Sequence, residues 1–224
     1  MSSNTASAGK ARGKAGRKAA AAPQASGKWT TLDFAVVIGG GIAFGLIYAL
    51  VFAPITTALY FHIGENRPVE SLLNGIWMLG GFIPMAIVRK PGALLVGETL
   101  AGLVEVMIRA CPLCAGTSMI VPIELNHQTR MFLNPVFFSG VLEGLGGEMV
   151  FCLSRYLRWD LVTFLIAGLG CGAFSWTSGI YVTNSYLFYP GNTMWWILLT
   201  STIGIVVVAG AGSWAVGRLV RGNR

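Results

Sequence analysis

The chain has 224 residues, 54% hydrophobic and only 11% charged, against about 25% charged in a typical soluble domain. Its thirty glycines are roughly twice ordinary usage, and with the long apolar runs they exclude a soluble globule, a disordered chain and a disulfide scaffold, leaving a polytopic membrane protein. The formal net charge of +7 is read against a membrane before nucleic acid, and no nucleic-acid partner is expected.

In chain order, residues 1–28 come first. They hold six cations (Lys10, Arg12, Lys14, Arg17, Lys18 and Lys28) and almost no large apolar side chain. Such a stretch buries too little surface to offset its ordering entropy, so a disordered basic cytoplasmic tail is expected, ahead of one domain over 29–224. No apolar h-region follows these cations before the first full span, which argues against a cleaved signal peptide. The tail reads either as a tether for anionic membrane lipid or as a solvated orientation signal.

A hydrocarbon core of about 30 Å takes roughly 20 apolar helical residues. Six segments qualify, near Leu32–Phe52, Leu72–Val88, Ala93–Ala110, Pro135–Leu153, Leu161–Val182 and Met194–Val216. The expected fold is all-α: six transmembrane helices in one bundle, the second kinked at Pro84. With the N-terminus cytoplasmic, thirteen of the sixteen Lys and Arg fall on the cytoplasmic side, and only Arg67, Arg109 and Arg130 on the other. That bias predicts a cell-membrane protein with both termini cytoplasmic. Trp159 and Trp195/Trp196 fall where aromatic belts sit.

Four of the nine acids lie inside predicted spans: Glu98, Glu105, Glu143 and Glu148. A carboxylate at mid-membrane costs at least about 2.5 kcal/mol. With no cation in any apolar mid-span to pair them, they read as groups facing one another, a cavity or a ligand. The alternative is a structural set, protonated or internally paired. At about 1.5 Å of rise per residue, Glu98 and Glu148 are level in the inner half of the membrane, and Glu105 and Glu143 nearly level in the outer half. Glu98 and Glu105 are two turns apart and share a face; Ala101 and Gly102 between them leave room for a bound group. Glu143 and Glu148 are separated by about 140° around their helix, so both cannot point squarely into one pocket. The expected site is an outward-facing pocket walled by Glu105 and Glu143. Glu98 and Glu148 form its floor or lock the third and fourth helices together. Trp77, Trp176 and Tyr181 stand at a depth suited to stacking a flat heterocycle and holding a cation, or to ordinary packing.

The segments Gly75-Ile76-Trp77, Arg89-Lys90-Pro91-Gly92-Ala93-Leu94, Glu98, and Ala101 with Leu103-Val104-Glu105 resemble the YkoE-type S components. These are substrate-binding membrane subunits of energy-coupling-factor (ECF) importers for thiamine and hydroxymethylpyrimidine. The run from Gly144 through Gly147-Glu148 to Phe151, followed by Arg155 and Trp159, resembles the same family's fourth-helix signature. The resemblance implies a vitamin-binding subunit with no catalysis and no cofactor of its own. It also implies a transmembrane coupling (T) subunit and two cytoplasmic ATPases, with release by toppling of the subunit. Trp77, Glu98, Glu105 and Glu148 match shared signature positions. Glu143 stands where the family more often has Gln, and the connection from Cys111 to Asn134 is longer than the family's.

Small residues at Ala35, Gly39 and Ala43 of the first helix allow close helix approach. The resemblance places the coupling subunit there; packing within the bundle is the other reading. Cys111 and Cys114 form a CxxC in an outer loop without the further ligands of a zinc site. They are either loop thiols or a local disulfide. His62 and His127 stand apart from any nucleophile, and no GxxxxGK[ST] occurs, so neither a catalytic centre nor a P-loop is expected. The leading expectation is a binding and translocation subunit for thiamine or hydroxymethylpyrimidine. The alternative is a proton- or cation-coupled secondary carrier of a small cationic solute.

Overall fold

The computed structural model describes residues 28–56, 58, 71–110, 135–186 and 191–222. All regular structure among these residues is helical. The first helix, α1 (Thr31–Ile47), starts at a reciprocal cap. The Asp33 amide donates to the Thr30 hydroxyl, and the Thr30 amide donates to the Asp33 carboxylate at 2.7 Å. Lys90 binds the same carboxylate at 2.6 Å and also donates to the carbonyl of Lys28. This ties the start of α1 to a corner far along the chain. α1 runs on through a π-helical turn, π1 (Tyr48–Phe52). Val37, Gly41, Gly45 and Tyr48 face inward, whereas Leu32, Phe34, Ile38 and Ile42 are exposed. An apolar outer face of this kind suits lipid.

Next come the short α2 (Asn74–Trp77) and α3 (Leu79–Val88). α3 runs through Pro84 without a break, and the interruption of this segment falls at Met78. The cause is visible in the amides that follow. Gly80 N–H donates to the Tyr48 hydroxyl at 2.7 Å and Gly81 N–H to the Glu98 carboxylate at 2.9 Å, so neither continues the ladder from α2. Arg89 ends α3 in the left-handed conformation, φ 54°.

α4 (Ala93–Ala110), α5 (Pro135–Leu153), α6 (Leu161–Tyr186) and α7 (Gly191–Gly204) follow. α7 continues through π2 (Ile205–Ala211) into α8 (Gly212–Gly222). The chain closes on itself: α1 packs on α3 and α4, α4 on α5, α5 on α6, and α6 on α7 and π2, while α8 returns to α3. α5 and α6 cross closely. A Cβ at Gly146 would lie 2.4 Å from the Gly170 carbonyl oxygen, and one at Gly170 2.5 Å from that of Gly146, so only glycine fits at either position.

Among the described residues three helices are long and apolar enough to cross a membrane, Thr31–Thr56, Val136–Leu153 and Met194–Gly222, with shorter apolar helices at Leu79–Val88 and Leu161–Thr177. α4 is also 18 residues long, but carries Glu98, Glu105 and Arg109. Toward the Lys90 end the interior is an apolar core. Phe151 and Phe164 meet edge-on at 5.1 Å, Phe151 stacks on Trp159 at 5.2 Å, and Phe82, Met85, Leu94 and Ile205 fill the remainder. The tail through residue 27, and with it any lipid tether, lies outside the described residues, as does the connection over 111–134 with Cys111, Cys114 and His127; His62 does too.

Candidate functional site

All four intramembrane glutamates are buried, and each has partners of a different kind. Glu148, on α5, reaches across to the start of α4. Its carboxylate accepts the Gly92 amide at 2.6 Å, the Leu94 amide at 3.1 Å, the Leu95 amide at 3.2 Å and the Tyr156 hydroxyl at 2.6 Å. The first amides of a helix have no intrahelical partner and carry its partial positive charge. A carboxylate supplied from a neighbouring helix satisfies both needs. Burial and the adjacent Glu148 push the Tyr156 phenol up from its ordinary value, so it stays a donor. Of the two roles expected for Glu148, this geometry is that of the lock.

Glu98 repeats the motif one helix earlier, its carboxylate accepting the Gly81 amide in the first turn of α3. It lies between Gly81 and Gly144, each with a virtual Cβ within 3.3 Å of the Glu98 Cβ.

Glu105 has side-chain partners. Trp77 Nε1 donates to its Oε2 at 3.2 Å, and Arg109 Nη1 donates to its Oε1 at 2.8 Å. This corrects the expectation that no cation pairs with the buried acids: Arg109, one turn along the same helix, forms an ion pair with Glu105. The Trp77 indole also packs near Tyr48 at 6.1 Å and Phe52 at 5.9 Å. Glu143 accepts from the Ser139 hydroxyl at 2.8 Å, and Ser175 of α6 is a second hydrogen-bonding partner. Among the described residues no cation pairs with it. Tyr48 and Cys171 lie within electrostatic reach of both Glu98 and Glu143.

The structure therefore gathers Trp77, Glu98, Glu105 and Glu143 around the middle of the bundle and leaves Glu148 at its Lys90 end. It does not bring Trp176 to this group. The Trp176 indole N–H donates to Thr202 at 2.9 Å and to the Leu198 carbonyl at 3.2 Å, and its ring meets Trp195 at 5.6 Å. It is bound to the α7 side of the fold. The side chain of Tyr181 lies outside the described residues. The space expected at Ala101 and Gly102 is also corrected. Ala101 is fully buried beneath α1, where a Cβ on Gly45 would lie 2.6 Å from its carbonyl oxygen, and Gly102 faces Val136 and Gly140.

Sequence reasoning missed Arg109, Ser139, Ser175, Tyr48 and Tyr156. Two were within reach, since Arg109 and Ser139 each stand four residues from the glutamate they contact. The other three meet their partners only through packing. On α1, Ala35, Gly39 and Ala43 are exposed, and a Cβ at Gly39 would touch nothing within 4 Å. Packing within the bundle instead uses Gly41 and Gly45, which press on α4.

At the same end as Glu148, the Arg89 guanidinium sits 5.4 Å over the Trp159 ring. Burial, reinforced by Arg221, brings its pKa down to about 10. Arg221 itself donates to the Ile87 carbonyl at 2.7 Å and ties α8 to α3.

Residues 32–121 match a family model described as the permease component of an ABC-type cobalt transport system. The chain is 26% identical over 165 residues to YkoE of Bacillus subtilis (strain 168), described as an HMP/thiamine permease, with 73% of this chain and 70% of that protein covered. It also superposes on the crystal structure of an S-component of an ECF transporter. The TM-score is 0.66 at 25% identity, covering 88% of this chain and 87% of the other. Fold and sequence agree: the chain is a multi-pass membrane protein built like an ECF S component, and it resembles the YkoE-type members of that group.

Proposed function

We propose that this chain is the substrate-binding S component of an ECF-type importer, capturing thiamine or hydroxymethylpyrimidine from outside the cell. It works with a transmembrane coupling subunit and two cytoplasmic ATPases, and has no enzymatic activity of its own. It crosses the membrane six times with both termini cytoplasmic and the basic tail on that side. The observation that carries the reading is the group formed by Trp77, Glu98, Glu105 and Glu143. A partly buried indole and three buried carboxyls lie together inside a bundle whose outer surface is apolar.

The chemistry suits a flat vitamin. An aminopyrimidine presents a ring nitrogen beside an exocyclic amine, which a carboxyl group meets in a two-point hydrogen bond. A thiazolium needs a counter-charge and stacks on an aromatic face. The outward stripe Ala35, Gly39 and Ala43 is the surface offered to the coupling subunit, since it is smooth and leaves a second helix room to approach.

Cobalt, the cargo named for the matching family model, favours nitrogen donors. Both histidines lie outside the described residues, and no group of three His, Cys, Asp or Glu able to hold a metal occurs among the described ones. Calorimetric titration of the purified full chain with thiamine, hydroxymethylpyrimidine and cobalt tests the proposal. Submicromolar binding of either vitamin compound without an ion gradient is expected. Binding of cobalt alone, or uptake by the isolated chain in vesicles only when a gradient is imposed, contradicts it.

A further inference from the structure

The four buried carboxyls differ in what already balances them. Glu148 has three amides at the start of α4 and the Tyr156 hydroxyl. Glu98 has the Gly81 amide in the first turn of α3, where the helix dipole is positive. Glu105 has a guanidinium at 2.8 Å. Glu143 has hydroxyl partners, Ser139 and Ser175, and no cation among the described residues.

A hydroxyl is a weak substitute for a counter-ion in a low-dielectric interior, and an ionised carboxylate there is costly until a cation arrives. The Arg109 side chain is only a quarter exposed and its partner Glu105 almost wholly enclosed. The pair thus presents a neutral, donor-rich surface next to the Trp77 indole, in spite of the acid it contains. We infer that Arg109 sets the charge selectivity of the site: by pairing with Glu105 it leaves Glu143 as the counter-ion for a cationic ligand.

This rests on the proposed function and goes further, because it assigns the two halves of the ligand. The cationic ring goes toward Glu143. The uncharged, amidine-like ring goes toward Glu105, where the carboxylate still has lone pairs to accept an amine.

The test titrates the full-length protein with two probes, thiamine and hydroxymethylpyrimidine, at a pH where the free pyrimidine is neutral. The variants are E105Q, R109Q, E105Q/R109Q and E143Q. E105Q strands a guanidinium in the site and is expected to weaken thiamine by about tenfold or more, and E105Q/R109Q to return it to within about threefold of wild type. R109Q frees a second carboxylate and raises the ratio of thiamine to pyrimidine affinity roughly tenfold. E143Q lowers thiamine affinity by about tenfold and that for the pyrimidine by less than about threefold.

A structural role moves both probes together, so equal losses in E143Q overturn the assignment. A double variant as weak as E105Q overturns it too, because Glu105 itself would then be the counter-ion. If E143Q does not fold, the comparison of R109Q with the double variant still decides. Wild-type protein that binds neither probe removes the proposed function and this inference together; wild-type binding with the wrong variant pattern removes only the inference.

Discussion

The end of the bundle around Glu148 and the interior around Glu105 and Glu143 both bury carboxyl groups, and they use them differently. Glu148 and Glu143 stand only five residues apart on α5. Glu148 reaches out of its own helix to satisfy the start of another, with four donors closing on its two oxygens. Around it lies an aromatic core of Phe151, Phe164 and Trp159. Glu143 meets hydroxyl groups in a region that also holds Trp77, Glu98 and an Arg109–Glu105 pair. An acid in a membrane interior is therefore not in itself a mark of ligand binding. In the proposed reading, architecture is separated from recognition by how fully the backbone uses the carboxylate: three amides close on Glu148, and one on Glu98.

The comparison breaks first at Glu148. Glu148→Ala leaves the first amides of α4 and the Tyr156 hydroxyl without their acceptor, at a cost of about 3 kcal/mol or more. The expected outcome is loss of folded, monodisperse protein, read by size-exclusion chromatography and thermal unfolding. Normal folding with lost vitamin binding would move Glu148 from the architectural to the recognition group. Next in size is Trp77→Ala, which removes an aromatic face and a donor to Glu105. It is expected to weaken thiamine binding by at least about tenfold, roughly 1.4 kcal/mol, with unfolding temperature little changed. Unchanged affinity would remove Trp77 from the pocket.

Much of this was legible before the fold was seen. The apolar runs foretold helical segments, but the levels of the glutamates came out differently: Glu98, expected level with Glu148, lies beside Gly144, while Glu148 reaches Gly92 and Leu94 at the start of α4. The break at Met78 was not legible, because it depends on Tyr48 and Glu98 capturing the amides of Gly80 and Gly81 from other helices. The same holds for Glu148, whose backbone partners lie more than 50 residues earlier in sequence. Arg109 was misread for another reason. It was counted as an outer-surface charge, when its spacing from Glu105 already permitted a pair.

Two smaller effects sharpen the comparison. Tyr156→Phe removes one donor of the four on Glu148 and is expected to lower stability by about 1 kcal/mol without altering ligand affinity. Any change in thiamine titration would couple the two regions more tightly than their separation suggests. The smallest effect concerns Asp160, which caps α6. Its carboxylate accepts the Thr163 amide at 2.8 Å, a bond that holds its pKa below the ordinary 3.8. A depressed carboxyl value contributes stability that is complete above 3.8 and is lost as pH falls through the lower folded value. Thermal unfolding should therefore weaken slightly in that acid range, and Asp160→Asn should flatten the response; an identical acid profile in the variant contradicts the cap.

The central claim is that buried acids unused by the backbone hold a flat, positively charged vitamin. The most direct measurement is native mass spectrometry of the full-length protein purified from cells supplied with thiamine, wild type beside E143Q. The account predicts that wild type carries one bound thiamine, or its pyrimidine moiety, and that E143Q loses the thiamine. A wild-type protein that arrives empty, or a variant that keeps thiamine as firmly as wild type, contradicts it.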